Sequence, residues 1–166
     1  MSTRLHQYEK FMRESNAIEG EIEPWMPVAP LGKYLNGRLN KNDLEAIELI
    51  MDAKEINEAL LLKCHGLLAQ GRDLLYKGEY RRCYVSIGNK NLPYHKLNEQ
   101  MATFWKKWPK MDSWTAHNMY EGIHPFEDLN GRTGRLLWLW KAVNEGYKMQ
   151  IPFLQAYYYQ TLTHHG

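Results

Sequence analysis

The sequence predicts an all-α, mainly helical bundle carrying one small β-hairpin. Apolar residues recur at three- and four-residue spacing along most of the chain, the period of a helix with one buried face. A single short stretch switches to period two and runs into turn residues. With 166 residues, 44% of them hydrophobic and 24% charged, the chain is long enough for one self-sufficient core.

The first helix is expected from Thr3 to Glu19, where Leu5, Tyr8, Phe11, Met12, Ser15 and Ile18 form one face and Gly20 is a natural stop. Gly20 to Asn40 carries Pro24, Pro27, Pro30, Gly32 and Gly37, so it is a packed excursion or a flexible tether. Asn42 offers an N-cap, with Glu45 as the reciprocal half of a capping box. Behind it Leu44, Ile47, Met51, Ile56, Leu60, Leu67 and Leu68 keep helical spacing up to Gly71, as one long helix or a helix pair. From Tyr80 to Ile87 two residue sets alternate, and Gly88-Asn89-Lys90-Asn91 supplies turn chemistry, so a hairpin is expected there. Helices resume near Lys96–Trp108, Asp112–Ile123, Gly131–Glu145 and Phe153–Thr163, punctuated by Pro109, Pro125, Gly146 and Pro152.

Composition excludes several function classes. The net charge of +2 is too small for bulk attraction to nucleic acid or membrane. Two cysteines, Cys64 and Cys83, are too few for a disulfide scaffold or a structural zinc site. The apolar run Leu136–Trp140 is far too short to span a bilayer, and the first residues have no signal-peptide pattern. A soluble, reduced, cytoplasmic domain is expected. One excess stands out: 6 Trp, 11 Tyr and 4 Phe make up 13% of the chain.

The chemistry concentrates in Ile123-His124-Pro125-Phe126-Glu127-Asp128-Leu129-Asn130-Gly131-Arg132-Thr133-Gly134-Arg135. This reads as a loop between two helices, the second starting near Asn130 or Gly131. Helix starts leave N–H groups free and bind anions, and glycine lets a ligand approach the backbone closely. Arg132 and Arg135, three apart, point the same way. They oppose the helix dipole unless an anion, such as a polyphosphate, sits between them. Asp128 is a hard oxygen ligand suited to Mg²⁺ shared with phosphates. His124 titrates near neutrality and suits a general base. Taken singly, Asp128 or Asn130 is an ordinary N-cap, the arginines a solvated face and His124 a half-buried ring; two arginines in one first turn are what those readings fail to explain.

The stretch resembles the signature of Fic (filamentation) domains, H-x-F-x-[D/E]-G-N-G-R-x-x-R. Seven of its eight defined positions match: His124, Phe126, Asp128, Asn130, Gly131, Arg132 and Arg135. Chance agreement at seven positions is on the order of 10⁻⁹ per starting point. The resemblance implies a helical domain that transfers AMP from ATP to a hydroxyl of a target protein, on Ser, Thr or Tyr, or of itself. It implies that His124 deprotonates the hydroxyl, Phe126 anchors the loop and Asp128 holds Mg²⁺. Asn130 and the Gly131 amide would contact phosphates, Arg132 would stabilise the leaving pyrophosphate, and Arg135 would reach the γ-phosphate. Leu129 departs from the pattern, standing where the family has glycine. If that position needs φ > 0, leucine there costs about 1–3 kcal/mol. It keeps open a different Fic-type activity: phosphotransfer, another nucleotide donor or removal of AMP. A non-catalytic nucleotide- or protein-binding module also stays open.

Two further segments are similar to the same family. Ser15-Asn16-Ala17-Ile18-Glu19-Gly20 resembles the inhibitory motif [S/T]-x-x-x-E-[G/N], which implies that Glu19 pairs with Arg135 and blocks the γ-phosphate position. Residues 1–20 would then be an inhibitory helix, 21–40 a connection and 41–166 the Fic core. The hairpin, with Tyr84, Val85, Ser86 and Ile87, resembles the family's target-docking flap, where a strand edge pairs with an extended segment. A purely structural hairpin is the other reading. No nucleic-acid or membrane partner is implied, and a homo-oligomer is compatible.

Other features carry less. Thr103–Lys110 mixes basic and aromatic residues but reads as a helix end packing its tryptophans. His117 lacks a third ligand at metal spacing and reads as a core or rim histidine. Arg81-Arg82 reads as a solvated or target-facing pair.

Overall fold

The computed structural model describes residues 3–21 and 37–147. Its described elements are α1 (Thr3–Ile18), α2 (Lys41–Met51), α3 (Glu58–Ala69), β1 (Val85–Ile87), β2 (Lys90–Leu92), α4 (Leu97–Lys107), α5 (Ser113–Ile123) and α6 (Asn130–Asn144), with a 3₁₀ turn at Trp108–Lys110. The expected bundle with a hairpin is what forms. The expected helix Phe153–Thr163 and most of the 21–40 connection lie outside the described residues.

Helix α6 is the centre. It is apolar or buried on nearly every face, and α1, α2, α3 and α5 all pack on it. A helix so enclosed belongs in the middle of a bundle. Trp138, Leu136, Leu137 and Leu139 join Tyr120, Phe104, Met12, Ile47 and Leu61 in one core. Much of the aromatic excess is spent here: Phe104 meets Trp105, Trp108 and Tyr120 at centroid distances of 5.0, 5.6 and 5.7 Å. The tryptophans of the basic Thr103–Lys110 segment do pack inward, Trp108 almost fully.

Where boundaries differ from expectation, tertiary contacts decide. The first box is not Asn42 with Glu45 but Asn40 with Asp43: the Asp43 N–H donates to Asn40 Oδ1 (2.9 Å) and the Asn40 N–H to Asp43 Oδ2 (3.0 Å). Buried Asp43 also accepts from Asn16 Nδ2 at 3.0 Å, so docking of α1 selects that cap. The long pattern to Gly71 is a helix pair. It breaks at Asp52–Asn57, where Trp140 Nε1 donates to the Ala53 carbonyl (3.0 Å) and Asn57 caps α3. The ladder of the hairpin spans Val85↔Leu92 to Ile87↔Lys90 around Gly88-Asn89, and Tyr80–Tyr84 stay outside it. Arg81 explains this. Its buried guanidinium takes the carbonyls of Cys83 (2.7 Å), Leu92 (3.2 Å) and Pro93 (3.2 Å), holding the base of the hairpin in place of further ladder bonds. The expectation of a solvated Arg81 is therefore wrong.

The segment 124–129, between α5 and α6, turns the chain through two left-handed residues, His124 (φ 53) and Leu129 (φ 71). Partners hold five of its six carbonyls. Arg81 Nε donates to the His124 carbonyl (2.7 Å) and the Arg81 N–H to the Pro125 carbonyl (3.0 Å). The Asn130 amide brackets Phe126, accepting from its N–H and donating to its C=O, both at 2.8 Å. His65 Nδ1 accepts from the Gly78 N–H (2.9 Å), which leaves Nε2–H to donate to the Asp128 carbonyl (3.1 Å). The His65 ring stacks on Phe126 at 3.8 Å and 9°, and burial lowers its pKa, so it stays neutral. Thr133 closes the turn with N–H and hydroxyl bonds to the Leu129 carbonyl, both 3.0 Å.

At Leu129 two effects oppose. The left-handed backbone costs leucine about 1–3 kcal/mol, while burial of its side chain, 3% exposed, returns about 1.5–3 kcal/mol. Leu129→Gly removes both terms, and Leu129→Ala removes only the favourable one. Denaturant melts are expected to rank Leu above Gly above Ala, with alanine about 2–5 kcal/mol below wild type; alanine more stable than glycine would contradict the balance. A second prediction concerns Glu14 on α1, which is 0% exposed with neither oxygen bonded among the described residues. Burial pushes its carboxyl up to about 8. A raised folded pKa gives stability that is full below the unfolded value near 4.5 and is lost as pH rises to about 8. Glu14→Gln should therefore raise the melting temperature by several degrees at pH 8 and by much less near pH 5; equal shifts would contradict this.

Candidate functional site

The end of α5, the 124–129 loop and the first turn of α6 line a cavity of about 450 Å³, closed on one side by α1 and on another by β1. It brings together most of the residues singled out from the sequence: Glu19, Val85, Ser86, His124, Asp128, Asn130, Gly131, Arg132 and Arg135. Ser15 and Gly20 stand behind Glu19. Phe126 is fully buried beneath the loop as its anchor. Tyr84 and Ile87 lie outside the cavity; Tyr84 turns to Tyr94 and His95, at 5.6 and 6.0 Å between centroids.

His124 caps α5 in the left-handed region. Its Nδ1 lies 2.9 Å from the Glu121 carbonyl. A carbonyl only accepts, so Nδ1 carries the proton and Nε2 keeps its lone pair. Burial lowers the His124 pKa, and the Arg81 cation adds to that, while the hydrogen bond to the Glu121 carbonyl and the Glu19 and Asp128 charges act against it. At neutral pH the ring is an uncharged acceptor, the form a general base needs. Glu121, beside it, has its own carboxyl pushed up to about 8 by burial, so it adds little negative charge near pH 7.

The two arginines behave as an anion site with an occupant. Arg135 is buried; its Nε donates to Ser15 Oγ (2.7 Å), and one Nη donates to the Ser15 carbonyl (3.1 Å) and to Glu19 Oε1 (2.7 Å). The expected Glu19–Arg135 pair is thus present. Helix α1 ends to suit it: the Gly20 N–H bonds the Ala17 carbonyl (3.0 Å) and the Glu21 N–H that of Asn16 (3.0 Å), a Schellman closure with Gly20 at φ 81. That closure fixes Glu19 on the last turn. A Cβ on Gly131 would stand 2.5 Å from Glu19 Oε1 and 2.9 Å from an Arg135 Nη. A side chain there would push the carboxylate or the guanidinium from its place.

Asp128 spends Oδ1 on the Leu129 N–H (2.7 Å). No cluster of three metal-binding side chains is found among the described residues. A lone carboxylate beside an anion site fits Mg²⁺ carried largely by water and phosphate oxygens, not a cage of protein ligands. Both polar atoms of the Asn130 side chain hold the Phe126 backbone, so it shapes the loop.

Sequence reasoning missed the roles of three residues. His65 and Arg81 act on loop carbonyls distant in sequence, and no local pattern marks them. Glu21 accepts from Arg132 at 2.8 Å and from Arg72 at 2.9 Å. A second acidic residue two places beyond Glu19 was the available signal.

No protein-family model matches the chain. No curated protein matches it either. Solved structures do. A Fic family protein from Desulfovibrio desulfuricans aligns at 23% identity over 87% of this chain and 51% of its own, TM-score 0.66. A Fic domain containing signaling protein from Bacteroides thetaiotaomicron aligns at 20% identity over 95% of this chain and 72% of its own, TM-score 0.66. Fic-1 from C. elegans aligns at 17% identity over 99% of this chain and 59% of its own, TM-score 0.60. The chain spans about half the length of the first of these. No helix among the described residues is long and apolar enough to cross a membrane. With six helices and a two-stranded hairpin among the described residues and the likeness to all three structures, the chain has the fold of the Fic family.

Proposed function

We propose that the protein is a protein adenylyltransferase restrained by its own N-terminal helix. The observation that carries this reading is the cavity in which an uncharged His124, Asp128, Arg132 and Arg135 converge while Glu19 sits on Arg135 at 2.7 Å. In this reaction the proton of a target hydroxyl passes to His124 Nε2, and the oxygen attacks the α-phosphorus of ATP. The bond from that phosphorus to the bridging oxygen breaks, and pyrophosphate leaves. Arg132 and Arg135, preorganised in a partly dry site, meet the charge that develops on the leaving group. Mg²⁺ held by Asp128 would neutralise phosphate charge. The β1 edge away from β2, with Val85 and Ser86 on the cavity wall, suits main-chain pairing with an extended target segment.

In the described arrangement Glu19 occupies the Arg135 guanidinium, so the γ-phosphate has no partner until α1 yields. That is the reading of autoinhibition. A second reading rests on Leu129, which lines the cavity in the left-handed region at the position where the family has glycine. It is another Fic-type activity, or a non-catalytic nucleotide- or protein-binding module.

ATP labelled separately at the α- and γ-phosphates tests these readings. Glu19→Gly is expected to raise α-label on the protein or a target on the order of tenfold or more. His124→Ala on that background should lower it by about 10²–10⁴. Label from the γ-position means phosphotransfer instead, and no label from either overturns the transferase reading. Activity retained by His124→Ala overturns the base.

A further inference from the structure

Glu21 lies just past the end of α1, and its carboxylate is held from two sides. Arg72, beyond the C-terminus of α3, grips it in a fork: one Nη to Oε1 at 2.9 Å, the other to Oε2 at 3.2 Å. Arg132 Nη1 adds a third contact at 2.8 Å. We infer that Arg72 and Arg132 form an anion subsite for a phosphate group, in which the Glu21 carboxylate stands in for that group. The inference deepens the nucleotide reading, on which it rests for the source of the phosphate.

The geometry supports exchange of one anion for another. Planar guanidinium forks match carboxylate and phosphate oxygens alike. The cations are fixed in advance: Arg72 Nε is tied to the Leu68 carbonyl (3.1 Å), and the Arg132 side chain is 7% exposed. Solvent reaches the pair from the Arg72 side, where Arg72 is 27% and Glu21 29% exposed. Asp43 and Asp128 also bear on this pair of cations, so the subsite is not over-supplied with positive charge. The two arginines hold the Glu21 carboxyl below the usual carboxylate range, although burial alone would raise it.

The arrangement with Glu19 is the second argument. Arg132 and Arg135 are one turn apart on α6, and the Schellman closure sets Glu19 and Glu21 over them, one carboxylate to each. One exit segment therefore fills two neighbouring anion positions. Removing Glu19 alone leaves the Arg72–Arg132 position filled, so release by that single change is partial. Arg72 thereby becomes a third arginine of the site, outside the motif that contains the other two.

Titration with inorganic pyrophosphate, without metal, tests the subsite on the full chain. E21Q is expected to bind about tenfold tighter than wild type. E21Q with Arg72→Gln should lose that gain, and E21Q with Arg72→Lys should keep part of it. A merely structural bridge predicts the opposite pattern, because removing either partner breaks the same contact and loosens the same segment. Circular dichroism checks helix content; if the glutamine unfolds the chain, Glu21→Asp keeps the charge, loses reach and should tighten binding by less. The inference is overturned if E21Q binds no tighter, or if its gain survives Arg72→Gln. Tighter pyrophosphate without tighter Mg·ATP would support the subsite and count against the nucleotide reading.

Discussion

The site depends on how the chain gets from α5 to α6 in six residues, His124 to Leu129. Two of them are non-glycine residues in the left-handed region, a conformation that persists only where its surroundings over-determine it. Here they do. Arg81 holds His124 and Pro125, Asn130 brackets Phe126, His65 holds Asp128 and underlies the Phe126 ring, and Thr133 closes on Leu129. Each of these anchors comes from a different part of the fold or from the first turn of α6. Precision at His124 is thus a property of the bundle and not of the loop alone.

The same arrangement creates an electrostatic problem. Arg132 and Arg135 sit buried in the first two turns of the central helix, near the end where cations are disfavoured by the helix dipole. Without anions they would be costly to bury. The chain supplies those anions from α1 and its exit, with Glu19 on Arg135 and Glu21 on Arg132. A polyphosphate would satisfy the same cations. On the proposed reading, docking of the N-terminal helix and occupation of the site compete for one set of charges.

Much of this was legible because the motif is contiguous. From His124 to Arg135 the spacing alone marks a loop, a helix start and two cations on one face, and the structure has all three. The Glu19–Arg135 pair spans 116 residues and was reached through resemblance, not through spacing. Arg81 was misread and His65 escaped notice since their partners are mostly backbone carbonyls, which every residue carries. The hairpin was placed correctly but started too early, because alternation continued through residues that Arg81 keeps out of the ladder. The break between α2 and α3 depends on Trp140, about ninety residues away, and a periodic pattern contains no such contact.

The central claim is that Glu19 and an incoming phosphate compete for Arg135. Calorimetric titration with a non-hydrolysable ATP analogue and Mg²⁺ measures that directly, in wild type, Glu19→Gly and Glu19→Gly with Arg135→Ala. The account predicts that Glu19→Gly binds on the order of tenfold tighter than wild type and that the added Arg135→Ala abolishes the gain. Equal affinity in wild type and Glu19→Gly would contradict it.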